Sequence, residues 1–585
     1  MSKRSETFLF AVIVVVMCFV SSHGFFTTKP LAGHDSAAYP VSQHQFHINI
    51  LDGAFFPRWA PDMRYGYGHP KLQFRPPVLH YIAEPFYMVS GDPFFCLNAA
   101  VIVLTIIAGM GMFMYMRLMT RPAWACIAAG IYITFNYLLA NMYNRGAYYE
   151  VTAYAFVPWI LWSQYCIAIS PGPLSRKSFL LPSVIGAAAW AGMICGHPAT
   201  AFFFTPIAIL HVLLLWFETR SVRSLLCAYI IMAAGILISS PYTFVFLRET
   251  SIVRMQIFLT GFDAYHRNFV SFARFITDSW PNNYLDMRES IFTPYLWPMN
   301  WVICYEILSF NLWTLAAIVC APILWFVRGA DKRLNRFSML FFLSLVALAA
   351  CATPVSKVLW DRVQFLHAFN FPWRAIGAMG VCCAALAGIT LENTWRRWGH
   401  NNVIAGIAAA GLMIIMAAFV WPRSSGWPSP WGLQKKDVTS EEIRPDSGIS
   451  SQFYTPKWVR RYAERPAERE VFTVAGDAEA LLVERRPTCW TIRTRASQTS
   501  RVAVAHYYYP GWLAYTQEGK LPTEVWSDRG LSSFIVPPGE QDIELRFGNT
   551  PTRTMGNVMF FCGIGIAFLC PLILVCKGRM CKFEI

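Results

Sequence analysis

Apolar runs long enough to cross a bilayer recur along almost the whole sequence, and they constrain its fold more than any other feature. Roughly 20 apolar residues span the hydrocarbon core as a helix. Only 14% of the residues are charged, whereas soluble domains are about one quarter charged. The sequence therefore predicts a polytopic α-helical membrane protein of about 12 spans. We place these spans at Thr7 to Gly24, Pro93 to Met116, Pro122 to Ala140, Val151 to Ile169, Phe179 to Cys195, Ala199 to Phe217, Leu225 to Leu247, Phe310 to Val327, Phe337 to Ala352, Ala375 to Leu391, Val403 to Trp421 and Gly556 to Cys576.

The gaps between these spans alternate in character. One set is short and basic, and the positive-inside rule puts such gaps in the cytoplasm together with both termini. This set contains Lys3/Arg4, Arg117/Arg121, Arg176/Lys177, Arg220/Arg223, Arg328/Lys332/Arg333/Arg336, Arg396/Arg397 and Lys577/Arg579/Lys582. The outer set comprises residues 25–92, 141–150, 248–309, 353–374 and 422–555. Alternatively, the first span is a cleaved signal peptide, although no clear A-x-A site follows it.

The positive charge of the chain has the same explanation. Lys and Arg number 49 against 34 Asp and Glu, which gives a formal balance of +15. Most of the basic residues lie in the short gaps, so they read as topology signals and not as a nucleic-acid surface. The outer segments carry no N-x-S/T glycosylation sequon. We expect a protein of the bacterial cytoplasmic (inner) membrane that contacts membrane lipids and no nucleic acid.

The last outer segment differs from the rest of the chain. After a linker rich in Trp, Pro and Ser, it has period-two runs separated by turn residues. These runs are Ala480 to Arg485, Thr488 to Arg495, Arg501 to Tyr508, Leu531 to Val536 and Asp542 to Phe547. The pattern predicts a small antiparallel β domain outside the membrane. The expected organisation is therefore a multispan membrane domain over 1–421 with its first outer loop at 25–92, a linker and β domain over 422–555, and a final span with a short cytoplasmic tail over 556–585.

The first outer loop concentrates chemically active residues. His34 and Asp35 put an imidazole and a carboxylate at the outer membrane surface, directly after the first span. Asp52 and Arg58 follow in the Asp52-Gly53 to Arg58-Trp59 segment. Such a set is typical of a binding site, but a structured loop whose polar residues cap helices would contain the same residue types.

The histidines of this loop raise the question of a metal. His44 and His47 are spaced so that they can share one helix face, and His69 and His80 lie further along. No His-Glu-x-x-His or Cys-x-x-Cys pattern accompanies them. A hard divalent cation such as Mg or Mn, held by carboxylates, fits these residues better than zinc. The metal ligands are not assigned.

Two further outer turns carry ionisable residues at the mouths of spans. Arg145 and Glu150 occupy the 141–150 turn, and Arg374 opens a span just after Pro372. Ionisable residues at this depth are candidates for a functional site, and an Arg fork can grip a phosphate with two hydrogen bonds. The alternatives are a structural ion pair in the turn and an Arg that anchors its helix among lipid head groups.

No nucleotide-binding, kinase or serine-hydrolase motif is present in the sequence. ATP is also absent from the outer side of the membrane. An enzyme acting there needs a substrate that is already activated, and a lipid-linked phosphate is the natural form.

Several of these motifs together resemble a known group of membrane proteins. They are the acid after the first span, Asp52-Gly53 to Arg58-Trp59, Gly66-x-Gly68-x-Pro70, Arg145-Gly146-x-x-x-Glu150, Phe371-Pro372-Trp373-Arg374 and Tyr507-Tyr508-Tyr509-Pro510-Gly511-Trp512. This set resembles the bacterial YfhO-like proteins, also called 6-pyruvoyl-tetrahydropterin synthase-related membrane proteins. The resemblance implies a GT-C glycosyltransferase that moves a sugar from a polyprenyl-phosphate carrier to an extracytoplasmic acceptor, which is a cell-envelope glycan, a lipid or a protein. The chain is shorter than the family pattern, with fewer spans, and this puts the acceptor in doubt.

The resemblance also implies roles for individual residues. Asp35 takes the place of the first-loop acid, and a carboxylate there can accept the proton of an attacking hydroxyl. Arg145 and Arg374 would stabilise the leaving phosphate, and Glu150 would orient Arg145 or contact the sugar. Substrate-binding roles in a second tier fall to His34, Asp52 and Arg58. Two other functions remain open: a transporter or flippase for a lipid-linked or envelope substrate, and a non-catalytic envelope-assembly scaffold.

Overall fold

The computed structural model describes most of the chain, with gaps in the connections. The described residues are 3–29, 31, 33, 35–143, 145–169, 179–254, 264–270, 312–325, 331–398, 401–421, 438–439 and 454–580. His34 of the predicted site lies outside them, as does most of the predicted 248–309 outer segment.

The first 421 residues are mainly helical. The helices are α1 (Lys3–Ser21), α2 (Ala38–Leu51), α3 (Lys71–Phe74), α4 (Val78–Ser90), α5 (Pro93–Met116), α6 (Pro122–Ile133), α7 (Asn136–Tyr143), α8 (Tyr148–Ile169), α9 (Leu181–Gly196), α10 (Pro198–Thr219), α11 (Val222–Ile238), α12 (Ser240–Glu249), α13 (Leu312–Trp325), α14 (Lys332–Ala352), α15 (Lys357–Arg362), α16 (Ala375–Trp398) and α17 (Asn402–Val420). A last helix, α18 (Pro551–Met580), follows the β domain. Within the described residues, seven helices are long and apolar enough to cross a membrane, or up to nine if each bent pair is one span. Each predicted span has a helical counterpart, but the count of about 12 remains a prediction.

Two of the predicted spans are bent. α6 and α7 meet at 44°, and the helix from Val222 to Ile238 meets the one that begins at Ser240 at 63°. Pro241 accounts for the second bend, because its ring removes a backbone N–H and clashes with the preceding turn. The first bend turns α7, with Tyr137 and Asn141, toward the candidate site described below.

The predicted cytoplasmic gaps contact one another. Arg121 binds Glu392 with an Nε–Oε2 distance of 3.0 Å. Glu392 also accepts a hydrogen bond of 2.8 Å from Arg396, and Arg396 reaches Asp331 at 2.6 Å. Three gaps that the charge pattern assigns to one side therefore meet through a single ionic network.

The predicted β domain forms two antiparallel sheets in the part of the chain that the structure describes. The strands are β1 (Val471–Ala475), β2 (Ala478–Arg485), β3 (Cys489–Ala496), β4 (Ser500–Tyr507), β5 (Trp512–Thr516), β6 (Gly519–Leu521), β7 (Thr523–Trp526), β8 (Leu531–Val536) and β9 (Gly539–Phe547). One sheet has the order β1-β4-β8-β7 and the other β2-β3-β9-β5-β6. Inward-facing residues of both sheets, such as Val502 and Ile543, share one apolar core.

The first outer loop completes that core. Trp59, Tyr67 and Phe74 are buried in the same cluster as the β strands. Trp59 is only 1% exposed and packs edge-on against Trp512 with ring centroids 5.7 Å apart. The backbone N–H of Tyr507 donates to the carbonyl of Tyr67 at 2.8 Å. The loop and the β domain are therefore one packing unit.

A buried ion pair ties this unit to the helices. Arg553, whose side chain is fully buried at the start of α18, pairs with Glu249 at the end of α12 through two contacts of 3.1 Å. Tyr509 of the β domain donates a hydrogen bond of 2.9 Å to the same carboxylate. Three distant segments of the chain are therefore joined at the Glu249 carboxylate.

Candidate functional site

Two loops meet backbone to backbone beside the start of α8. The N–H of Asp35 donates to the carbonyl of Arg145 at 2.9 Å. A Cβ on Gly33 would lie 2.9 Å from the Cα of Gly146, and Gly146 itself has a φ of +62°. Only residues without side chains permit this approach. The contact brings the predicted acid of the first loop next to the predicted Arg-Glu turn.

Glu150 is the centre of a dense polar cluster. Its side chain is 2% exposed and accepts hydrogen bonds from Tyr137 at 2.8 Å, Asn141 at 3.2 Å and Arg145 at 3.0 Å. The Nε of Arg374 donates to it at 3.3 Å. Three predicted site residues, Arg145, Glu150 and Arg374, are therefore brought together, and two guanidinium groups share one carboxylate.

Electrostatics fix the charge state of this cluster. Burial alone would raise the pKa of Glu150, but the groups around it, Arg145 foremost, hold it well below its usual range. His197, 4.0 Å from Glu150, has its pKa lowered to about 3 by burial and by the same guanidinium groups. With His197 neutral, two positive charges face one negative charge. Trp373 lies beside this excess positive charge, with its ring centroid 4.6 Å from the Arg145 guanidinium carbon.

Asp35 lies at the exposed edge of the same region. Its carboxylate is close enough to interact electrostatically with Tyr39, Arg75 and Tyr149. Arg75 is in turn within electrostatic range of His197. Arg75 is therefore within electrostatic range both of Asp35 and of His197, which lies 4.0 Å from Glu150.

Arg75 is a site residue that the sequence reasoning missed. Its guanidinium carbon lies 5.8 Å from the ring centroid of Tyr149 and 5.6 Å from that of Tyr454. Its Nε is buried, and among the described residues no group accepts a hydrogen bond from it. A cation that lies near two aromatic rings and has an unused buried donor is suited to bind an anion.

Asp52 and Arg58 lie elsewhere. Asp52 accepts hydrogen bonds from the Arg486 side chain at 2.8 Å and the Thr488 N–H at 3.0 Å, both at the edge of the β domain. Arg58 is buried and donates to Gln73 at 2.7 Å and to the carbonyl of Pro241 at 2.9 Å. In this arrangement the two residues hold the first loop in place and do not face Asp35.

The described residues do not form a metal site. No three His, Cys, Asp or Glu side chains among them converge in a way that could hold an ion. His44 contacts the Tyr87 hydroxyl at 2.8 Å, and His47 contacts Glu84 at 2.6 Å. We therefore assign no metal ligands among the described residues and derive no step through a metal ion.

Some of the missed residues carried a signal in the sequence. Arg75 precedes Pro76-Pro77, which prevents the chain from continuing as a helix and holds it extended. His197 directly precedes Pro198 between two adjacent spans, a position at which an ionisable residue is unexpected. Tyr454 had no such signal, because only the folded β domain brings it to Arg75.

Comparisons with known proteins give structural likenesses alone. No protein-family model matches the sequence, and no curated protein is significantly similar to it. Among solved structures, the arabinofuranosyltransferase AftD from Mycobacteria is similar over 73% of this chain and 28% of its own, with 13% identity and a TM-score of 0.40. The Archaeoglobus fulgidus oligosaccharyltransferase is similar over 73% of this chain and 56% of its own, with 14% identity and a TM-score of 0.44.

A third solved structure is ArnT from Cupriavidus metallidurans bound to undecaprenyl phosphate. It is similar over 66% of this chain and 77% of its own, with 13% identity and a TM-score of 0.31. The chain thus spans 28% of AftD and 56% of the oligosaccharyltransferase. Likenesses at this level carry no functional argument, so the proposal below rests on the side chains of this protein.

Proposed function

We propose that this protein is a membrane glycosyltransferase of the GT-C type that moves a sugar from a polyprenyl-phosphate carrier to an extracytoplasmic acceptor. The observation that carries the proposal is an exposed acid, Asp35, within electrostatic range of a half-buried guanidinium, Arg75, whose buried Nε has no hydrogen-bond acceptor among the described residues. Transfer from a phosphate carrier needs both groups, a base for the incoming hydroxyl and a cation for the leaving phosphate.

The chemistry follows from these two groups. The acceptor hydroxyl transfers its proton to the Asp35 carboxylate while its oxygen forms a bond to the anomeric carbon of the sugar. The bond between that carbon and the phosphate oxygen breaks, and the polyprenyl phosphate leaves with the electron pair. Arg75 offsets the charge that develops on the phosphate. The carboxylate also favours the positive charge of an oxocarbenium-like transition state.

In this proposal Arg145 and Arg374 also stabilise the phosphate, through the net positive charge of their cluster with Glu150. Glu150 neutralises one of the two cations, so the cluster keeps one net positive charge. Glu150 also holds both guanidinium groups in fixed positions, which saves the cost of ordering them when substrate binds. Any contact of His34, Asp52 or Arg58 with substrate stays a prediction.

The finer features of the proposal come from the sequence. The charge alternation supports a bacterial inner-membrane protein with both termini in the cytoplasm and the site on the outer face. The motifs in the first loop and the β domain support placement among the YfhO-like proteins. The acceptor remains a cell-envelope glycan, a lipid or a protein, and the sugar is not assigned.

The test is a transfer assay with purified protein and a panel of polyprenyl-phosphate sugars. We expect Asp35→Asn to lower the transfer rate by at least about 100-fold, the usual contribution of a general base. Asp542→Asn is the matched control, since Asp542 is an exposed β9 residue paired with Arg493. Near wild-type turnover by Asp35→Asn, or no turnover of any donor by the wild type, would refute the proposal.

A further inference from the structure

A buried chain of hydrogen bonds leads from the candidate site to the far side of the first loop. The Tyr149 hydroxyl contacts Nε2 of His80 at 2.8 Å, and Nδ1 of His80 contacts Oε1 of Gln43 at 2.8 Å. The amide nitrogen of Gln43 then donates to Glu84 at 2.9 Å. The other carboxylate oxygen of Glu84 contacts His47 at 2.6 Å. We call the Tyr149, His80, Gln43 and Glu84 chain the relay.

The direction of every hydrogen bond in the relay follows from Glu84. An ionised carboxylate can only accept, so the Gln43 group that faces it must be the amide nitrogen. The same nitrogen also faces the carbonyl oxygen of His80, at 3.4 Å, which is a second acceptor. The Gln43 oxygen therefore faces His80, and His80 must carry its proton on Nδ1. In the neutral ring Nε2 is then an acceptor, and Tyr149 must donate to it.

The surroundings keep His80 neutral. Burial, followed by the charges of Lys71 and Arg75, lowers the pKa of His80 to about 3. Phe46 covers one face of the ring, with centroids 5.5 Å apart. A charged imidazole would donate from both nitrogens and reverse the bond to Tyr149. With two cations nearby and little water, that state is disfavoured at neutral pH.

Tyr149 connects the relay to the site. Its ring lies against the Arg75 guanidinium, and its hydroxyl is within electrostatic range of Asp35 and Arg75. A hydroxyl has one proton, and Tyr149 uses its proton in the hydrogen bond that it donates to His80. The oxygen of Tyr149 therefore has only lone pairs to offer, and it can accept hydrogen bonds but not donate them.

We propose that Glu84, acting through Gln43 and His80, fixes the Tyr149 hydroxyl as a hydrogen-bond acceptor for a hydroxyl of the sugar substrate. This inference rests on the proposed function for the identity of the ligand. Arg75, which can only donate, takes the anionic part of the substrate, and Tyr149, which can only accept, takes a neutral donor beside it. Glu84, Gln43 and His80 are positioning residues, and Tyr149 is the residue that contacts substrate.

The first test does not depend on transfer activity. Nitrogen NMR of the full chain, labelled at its histidines and held in lipid nanodiscs, reports the tautomer of each ring. We expect a neutral His80 signal protonated on Nδ1, unchanged from pH 5 to pH 8, and assigned by its loss in His80→Phe. A His80 ring protonated on Nε2, or charged at pH 7, would overturn the proposal. Gln43→Met should shift this signal, whereas Gln45→Met, which breaks a bond to Asp62 from the same helix, should leave it unchanged.

The second test asks whether Gln43 acts through Tyr149. Loss of one neutral hydrogen bond should raise KM for the sugar donor about fivefold in Tyr149→Phe. Gln43→Met should give a similar rise in the wild-type background and no further rise in the Tyr149→Phe background. Additive effects would overturn the positioning role. If the expected tautomer is found but no sugar donor is turned over, the relay stands and the proposed function fails. If a donor is turned over but His80 carries its proton on Nε2, the proposed function stands and the relay fails.

Discussion

Replacing Glu150 with glutamine tests the charge arrangement of the site most directly. The variant Glu150→Gln keeps the shape of the side chain and removes its charge. In the wild-type protein, four donors converge on the Glu150 carboxylate at 2.8 to 3.3 Å. They come from Tyr137, Asn141, Arg145 and Arg374. The amide NH2 of glutamine cannot accept hydrogen bonds from these donors, and the buried Arg145 and half-buried Arg374 would lose their counter-charge.

The expected loss is large. Glu150 is 2% exposed, and removing one partner of a buried ion pair costs about 3–5 kcal/mol in the free energy of unfolding. An added anion should restore part of this loss, because it can occupy the place between the freed guanidinium groups. Phosphate at about ten times its dissociation constant would return about 1.4 kcal/mol.

The assay is a denaturant titration in detergent micelles with and without inorganic phosphate. Glu249→Gln is the matched control, because Glu249 is also a buried acid paired with an arginine. It should cost a similar free energy of unfolding but gain nothing more from phosphate than the wild type does, since Arg553 is fully buried. Our reasoning is refuted if Glu150→Gln unfolds within about 0.5 kcal/mol of the wild type, or if phosphate stabilises both variants equally.

Three further predictions follow from other parts of the structure. Arg75→Gln should weaken binding of a polyprenyl phosphate at least about tenfold, the value of a charged hydrogen bond; an unchanged Kd in nanodiscs would contradict this. Burial holds the folded pKa values of His80, His197 and His506 at about 3, 3 and 4. Since these lie below the unfolded value of about 6.5, the unfolded state takes up protons first, and each histidine should cost about 1.4 kcal/mol of stability per pH unit as the pH falls from about 6.5 toward 4. Stability that stays flat between pH 7 and pH 5 would speak against neutral buried rings. Trp59→Ala should cost about 3–5 kcal/mol and speed proteolysis within the β domain, although Trp59 lies outside it in the sequence; unaltered digestion would contradict the shared core.

The apolar helices and five of the strands were predictable because their signals are local. Apolar runs and period-two alternation each depend only on neighbouring residues. The four strands that were not predicted, β1, β5, β6 and β7, have five, five, three and four residues, too few to show a period. The bend between Ile133 and Asn136 was not predictable, because no Pro or Gly marks it and packing decides it.

The candidate site was predictable only in part. Arg145, Glu150 and Arg374 stood out because charge is rare at the ends of spans. The partners of Asp52 were hidden, because Arg486 and Thr488 lie more than 430 residues away, at a separation of 434 and 436 positions. A polar residue in a loop gives no sign of whether its partner is a ligand or a distant strand. Such long-range pairings need coordinates.

The shared core of the first loop and the β domain has a consequence for synthesis. Arg58 and its partner Asn557 are separated by 499 positions. At about 5–20 residues per second, a ribosome needs about 25–100 s to add that length of chain. For that time Trp59 lacks the strand residues that bury it in the folded protein. The partners that bury Trp59 and the Asn557 partner of Arg58 are made only when almost the whole polypeptide has been synthesised, so a chain truncated before the β domain would leave the first loop without its packing partners.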